Sequence, residues 1–270
     1  MPKASNGVKF SIIGTGFILP VHVQAIRDVG GEIIDIVNNY RGEDSWKKMI
    51  QSTSADCIVI LTPNYLHKEM TLEAVKNGKI VLCEKPLVIN LKDCQELIGK
   101  GKIFSVLQLR HHPFNNDIKA GIKESGNIIN MDISVCRDED YYNGWKGQKE
   151  KSGGVLFNLG IHYFDLLLHL FGEQTEVKTD YLDEKKGRGV VQGKSYICNW
   201  QVSTDAKKEN QKRIFEINGV NYNFSSKDNL SFENLHKFVY EDLLVGKGVS
   251  PEEALKTIKL VEKLYQFYGK

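Results

Sequence analysis

The sequence has no long Lys/Arg block, no CxxC pair, no internal repeat and no low-complexity stretch, and no apolar run reads as long enough to span a membrane. Each absence removes a class of protein. Without a basic block, a net charge of +2 gives no footprint for nucleic acid. The paired lysines Lys149/Lys151, Lys185/Lys186 and Lys207/Lys208 read as solvated loop charges. Five scattered cysteines, Cys57, Cys83, Cys94, Cys136 and Cys198, exclude a disulfide framework or a zinc knuckle and fit a reducing, cytoplasmic setting. Met1 to Gly7 carries no apolar leader, and no metal is expected. What remains is 270 residues, 41% hydrophobic and 26% charged, enough for one or two globular domains.

The first hundred residues alternate short apolar runs with helical patterns. Val8–Ile13, Glu32–Val37, Asp56–Leu61, Lys79–Cys83 and Ile103–Leu109 read as strands, with helices between them. Repeated βα units imply a doubly wound parallel sheet, placed at 1–110. After Arg110 the pattern changes. A helix (Asn115–Lys123) and a strand (Ile128–Cys136) lead to a polar, aromatic loop and a strongly apolar helix, Val155–Phe171. Strands follow at 176–181, 196–202, 213–217 and 222–224, with Asn218-Gly219 as a hairpin turn. Two helices close the chain, the last opened by Ser250-Pro251. Residues 111–270 therefore read as an α+β domain with an open, mainly antiparallel sheet, and the whole as α/β.

Chemistry-bearing residues collect at the strands' carboxyl ends, where open α/β sheets bind ligands. Gly14-Thr15-Gly16-Phe17-Ile18 follows a strand and opens a helix, the setting for a pyrophosphate on a helix N-terminus. The third glycine of the GxGxxG fingerprint is Leu19. The second strand ends at Asn38, where an NAD enzyme usually carries an acid for the ribose hydroxyls. An amide still bonds a hydroxyl and does not repel a 2′-phosphate, which Arg41 could pair, so NAD and NADP both stay open. Thr62, Pro63 and Asn64 border the same edge. His67 is grouped with them, although its place in a first helical turn reads as surface.

Glu84-Lys85-Pro86 ends the fourth strand. Burial of Lys85 near a cationic ring would lower its pKa towards that of a proton-transferring group. Glu84 could orient Lys85 or bond a cofactor ribose. Asn158, His162 and Asp165, spaced i, i+4, i+7, form a polar stripe on an apolar helix, and Asp165 could bond one nitrogen of His162. Gln108 and His111 could bond sugar hydroxyls. Arg110 could grip an anionic group. Trp145 and Lys146, in the aromatic loop, are set to face a carbohydrate.

In order, these motifs resemble the Gfo/Idh/MocA family of sugar and inositol oxidoreductases over nearly the whole chain. The resemblance implies a Rossmann domain with an open-faced α/β partner, NAD or NADP as cofactor, Lys85 and His162 as acid/base candidates, and a cis Lys85–Pro86 peptide. Thr62–His67, Cys83–Val88, Leu107–His112 and Asn143–Gly147 resemble the branch acting on UDP-N-acetylglucosaminuronic acid. That branch oxidises the sugar C3 hydroxyl on the way to diamino sugars of surface polysaccharides. It implies a nucleotide-sugar substrate and a homo-oligomer, tetramer or dimer. The chain departs from it at Asn38 and in short segments after Asn39 and around Gly99. Two alternatives therefore stand: a family member reducing a keto-sugar with NADPH, and a catalytically silent sugar-nucleotide binder.

Overall fold

The computed structural model describes residues 7–38, 44–225 and 232–266. In chain order the main elements are β1 (Lys9–Ile13), α1 (Leu19–Asp28), β2 (Glu32–Val37), α2 (Ser45–Ser52), β3 (Cys57–Ile60), α3 (His67–Lys76), β4 (Ile80–Cys83), α4 (Leu91–Leu97), β5 (Ile103–Ser105), α5 (Phe114–Gly121), β6 (Asn127–Ser134), α6 (Glu139–Asn143), α7 (Lys149–Ser152), α8 (Ile161–Phe171), β7 (Gln174–Leu182), β8 (Lys186–Gly193), β9 (Tyr196–Ser203), β10 (Lys212–Ile217), β11 (Val220–Asn223), α9 (His236–Leu244) and α10 (Pro251–Gln266).

The chain divides into two units. The first holds a five-stranded, all-parallel sheet in the order β2-β1-β3-β4-β5. β3 reads Cys-Ile-Val-Ile and is buried throughout, as a central parallel strand covered on both faces must be. Phe10, Ile12, Ile26, Val59, Leu82 and Val106 form its core. Residues 232–254 also belong to this unit, although the sequence reading assigned them to the second domain. The reason is the buried face of α9: Val239, Tyr240 and Leu243 join the core of Phe10 and Ile26, and the Tyr240 ring meets Phe10 edge-on at 5.6 Å. A tertiary contact of that range leaves no trace in local periodicity.

The second unit is built on a six-stranded sheet, β11-β10-β6-β9-β8-β7. Its pairings are antiparallel except for β6 with β9. β9 alternates from Tyr196 to Val202: Tyr196, Cys198, Trp200 and Val202 face inward, and Asn199 and Gln201 face out. α8 lies on the inner face, with Phe164 edge-on to Trp200 at 5.5 Å. Asn218 at φ 53° and Gly219 at φ 86° make the expected turn between β10 and β11. β8 is a strand the sequence reading passed over, because Gly187, Gly189 and Gly193 look like a loop. A Cβ at Gly189 would come 2.0 Å from the Lys178 carbonyl of β7, so close backbone approach is what the glycine serves there.

The fifth strand ends at Ser105 rather than Leu109, and Gln108–His111 forms a short 3-10 turn. The stretch Lys149–Phe171 does have the length and apolarity of a membrane span, but 67% of that window is buried, which makes it a core helix of the second unit.

Candidate active site

Four loops of the first unit leave the carboxyl ends of neighbouring parallel strands. Leu61 N–H donates to Ile13 at 2.8 Å, Glu84 N–H to Ile60 at 2.9 Å and Val106 N–H to Cys83 at 2.9 Å. The segments after β1, β3, β4 and β5 therefore share one edge. Gly14 sits at φ +112°, and a Cβ there would lie 2.6 Å from the Leu61 carbonyl. A Cβ at Gly16 would meet nothing within 4 Å, so that side of its backbone is open to a ligand. α1 starts beside it with no acid in its first turn and no side-chain cap. This bare, positive helix end fits a dinucleotide diphosphate. Phe17 is 82% exposed, Ile18 is half-buried, and Asn38 is exposed at the end of β2. Arg41 lies outside the described residues.

Thr62, Pro63 and Asn64 form a buried turn after β3. His67 is not a surface residue, nor is it presented to a cofactor. It is fully buried, with Nδ1 2.7 Å from the Pro86 carbonyl and Nε2 2.9 Å from the Thr62 carbonyl. It ties the turn after β3 to the turn after β4. Burial holds its pKa below the ordinary histidine value, against the pull of both carbonyls.

The Lys85–Pro86 peptide is cis, as the resemblance implies. Of the two roles offered for Glu84, the geometry favours orienting Lys85. Glu84 Oε2 accepts from the Lys85 backbone N–H at 3.1 Å, and Oε1 accepts from His22 Nε2 at 3.0 Å. His236 Nε2 lies 3.7 Å from Oε1. Burial alone would push the Glu84 carboxyl up. The hydrogen bond from His22, with His236 close by, outweighs it and holds Glu84 well below the carboxylate range. Sequence reasoning missed these partners. The one signal was His22 at i, i+3, i+4 spacing with Ala25 and Ile26 on the buried face of α1.

In the second unit, Asp165 is 1% exposed and bonds Arg110, a partner the sequence does not announce. Arg110 Nε donates to Oδ2 and Nη2 to Oδ1, both at 2.8 Å, and the Thr257 hydroxyl donates to Oδ1 at 3.0 Å. The fork edge assigned to an anionic ligand is spent on the chain's own carboxylate. The Asn115 side chain donates to the carbonyls of Leu109 and Arg110 at 2.9 and 2.8 Å and fixes this crossover segment. Gln108 is buried, and His111 is half-buried.

The expected straight stripe on the helix is also corrected. Leu156–Gly160 is a π-turn, so the step from Asn158 to His162 is not an α-helical i, i+4 step. Both side chains are half-buried, and Asn158 Nδ2 reaches the Lys146 carbonyl at 3.5 Å. The Lys146 ammonium stands 4.7 Å from the Tyr141 ring and 5.9 Å from the Trp145 ring. Burial, then Arg137, lowers its pKa. Lys146 lines a cavity of ≈ 560 Å³ with Tyr142, Gln148, Asp183 and Tyr265, a size that suits a small ligand. A larger cleft of ≈ 640 Å³, lined by Lys186, Arg188 and Gln201, holds none of the residues marked by sequence.

A parallel sheet with a glycine turn and a bare helix end at one edge is the arrangement of a dinucleotide-binding Rossmann domain. The chain belongs to the Gfo/Idh/MocA oxidoreductase family: residues 8–102 match its NAD-binding Rossmann fold and 119–203 its C-terminal alpha/beta domain. The structure is similar to that of the WlbA (WbpB) dehydrogenase of Thermus thermophilus, with a TM-score of 0.84, 26% identity and coverage of 95% of this chain and 94% of that one. Crystal structures of that enzyme hold NAD with alpha-ketoglutarate and NAD with UDP-GlcNAcA. The 2,7-anhydro-N-acetylneuraminate hydratase of Escherichia coli is 34% identical over 142 residues, 48% of this chain and 37% of that protein. The NADP(+)-dependent scyllo-inositol 2-dehydrogenase IolU of Bacillus subtilis is 25% identical over 200 residues, 64% of this chain and 61% of that protein. The chain thus spans about half the length of the curated relatives it matches.

Proposed function

We propose that this chain is a nicotinamide-dependent oxidoreductase acting on the C3 hydroxyl of a nucleotide-linked sugar of the UDP-GlcNAcA class. The observation that carries the reading is Lys85, held at the carboxyl edge of β4 by Glu84 and sharing that edge with the open Gly14–Gly16 turn. The likeness to a dehydrogenase crystallised with UDP-GlcNAcA supports the substrate class. Gly14, Gly16 and the start of α1 would hold the diphosphate, with Asn38 at the ribose. Bound there, the dinucleotide supplies an acceptor or donor of hydride. Lys85 takes the hydroxyl proton on oxidation and returns it on reduction. His162 is the second proton-transfer candidate. Asp165 acts one step back, by fixing Arg110. The protein works as a homo-oligomer.

Incubation of the protein with NAD, UDP-GlcNAcA and 2-oxoglutarate, read by mass spectrometry, tests this. A sugar nucleotide lighter by two hydrogens, and absent with Lys85→Ala, is the expected product. An unchanged sugar nucleotide with NAD bound would refute the substrate class.

A second reading is favoured by Asn38, exposed where an acid would exclude a 2′-phosphate. On that reading the chain reduces a keto-sugar with NADPH. Binding at least as tight for NADPH as for NADH would favour it.

A further inference from the structure

The first unit carries a buried polar chain that the proposed reaction does not use directly. His22 in α1 and Tyr240 in α9 are both fully buried, and Nδ1 of His22 lies 2.8 Å from the Tyr240 hydroxyl. On the other side of the same ring, Nε2 lies 3.0 Å from Glu84 Oε1. Glu84 in turn accepts from the Lys85 peptide N–H at 3.1 Å. His236 completes the surroundings, with its ring centroid 5.0 Å from that of His22.

Hydrogen-bond chemistry sets the direction of this chain. An ionised carboxylate only accepts, so Nε2 of His22 must carry its proton. A neutral imidazole then has Nδ1 as an acceptor, and the Tyr240 hydroxyl donates to it. Burial favours the neutral ring, since a second charge would have to be desolvated. Burial also keeps Tyr240 protonated. Every member thus has one role: Tyr240 donates to His22, His22 donates to Glu84, and Glu84 receives the Lys85 peptide. Such chains polarise in one sense and strengthen each bond.

We propose that Tyr240, His22 and Glu84 form a one-way hydrogen-bond relay that anchors the Lys85 peptide, making His22 and Tyr240 positioning residues for the lysine. The relay stands on these distances and on the burial of His22 and Tyr240. Its consequence for turnover rests on the proton-transfer role proposed for Lys85. The relay ties that lysine to α1, the helix that opens at the glycine turn. It also accounts for α9, far along the chain, returning to the first unit with a tyrosine that bonds His22 and a histidine beside Glu84.

The test uses the full chain labelled with nitrogen-15, as wild type, Tyr240→Phe, His22→Leu and His22→Gln. Long-range proton–nitrogen spectra at neutral pH report the tautomer of His22. The expected spectrum shows protonated Nε2 and a bare, hydrogen-bonded Nδ1. Tyr240→Phe, which removes only a hydroxyl, moves Nδ1 towards the unbonded position. The Lys85 backbone amide resonance moves in Tyr240→Phe and His22→Leu. It returns towards wild type in His22→Gln, whose amide can still donate to Glu84. A doubly protonated or Nδ1-protonated ring overturns the relay, as does a Lys85 amide indifferent to all three changes. With substrate, kcat falls by about 3–30-fold in Tyr240→Phe and His22→Leu while the cofactor KM holds. Equal kcat in folded variants overturns the positioning role. A wild type without turnover but with the expected spectra refutes only the proposed reaction.

Discussion

Arg110 grips Asp165 with both edges of the contact satisfied, Nε to Oδ2 and Nη2 to Oδ1 at 2.8 Å each. The pair joins the segment after the 3-10 turn to α8 within the second unit, and Thr257 of α10 closes it on a third side. A buried, bidentate pair of this kind locks a crossover in place. It also means that the most prominent arginine of the sequence motif serves the fold before it serves any ligand.

Breaking that pair from one side leaves a charge buried without its partner. Asp165→Asn is expected to lower stability by about 3–5 kcal/mol, read from urea unfolding. Replacing both partners together, Arg110→Met with Asp165→Leu, recovers most of that loss, because an apolar pair leaves no charge to solvate. A double variant less stable than Asp165→Asn would contradict this account.

Gly14 and Gly16 separate backbone need from ligand need. Gly14→Ala forces a left-handed residue against the Leu61 carbonyl and is expected to cost at least about 1–3 kcal/mol of stability. Gly16→Ala meets nothing in the protein and should unfold like wild type. It should nonetheless weaken dinucleotide binding, measured by fluorescence titration, because its methyl occupies the ligand's side of the turn. Unchanged affinity would move the diphosphate elsewhere.

His112 titrates against the fold. Burial among Phe114 and Phe224, with ring centroids at 4.6 and 4.5 Å, lowers its pKa to about 4. The unfolded chain binds this proton near the ordinary value of about 6.5. Stability from this site is therefore full above about pH 6.5 and is lost as pH falls towards about 4. His112→Phe should flatten that part of the stability–pH curve, followed by denaturant midpoints across the range. An unaltered slope would assign the effect to other groups.

Much of the first unit was legible because its signals are local. Gly14-x-Gly16 directly after β1, and Glu84-Lys85-Pro86 directly after β4, declare a ligand edge by sequence position alone. Asn218-Gly219 declares its own turn. What escaped is set by distant contacts. Asp165 has partners in Arg110 and Thr257, which lie 55 and 92 residues away. Tyr240 reaches His22 across 218 residues. The π-turn at Leu156–Gly160 inserts its extra residue without a proline or any other marker, so a helical-wheel reading of Asn158 fails there. β8 was hidden because glycines chosen for close strand approach look like a loop.

Lys85 is the residue on which the chemical reading turns. Lys85→Ala should reduce kcat by about 10²–10⁴-fold while cofactor affinity, measured separately by titration, stays near wild type. A matching loss of affinity would assign Lys85 to binding instead.

The most direct measurement is the growth of reduced-nicotinamide absorbance when the protein is mixed with NAD and UDP-GlcNAcA. The account gives a rise in the wild type, with NADP in place of NAD as the parallel sample, and little or none in Lys85→Ala. No rise with either cofactor, in protein shown by titration to bind the dinucleotide, would contradict the proposed reaction on this sugar.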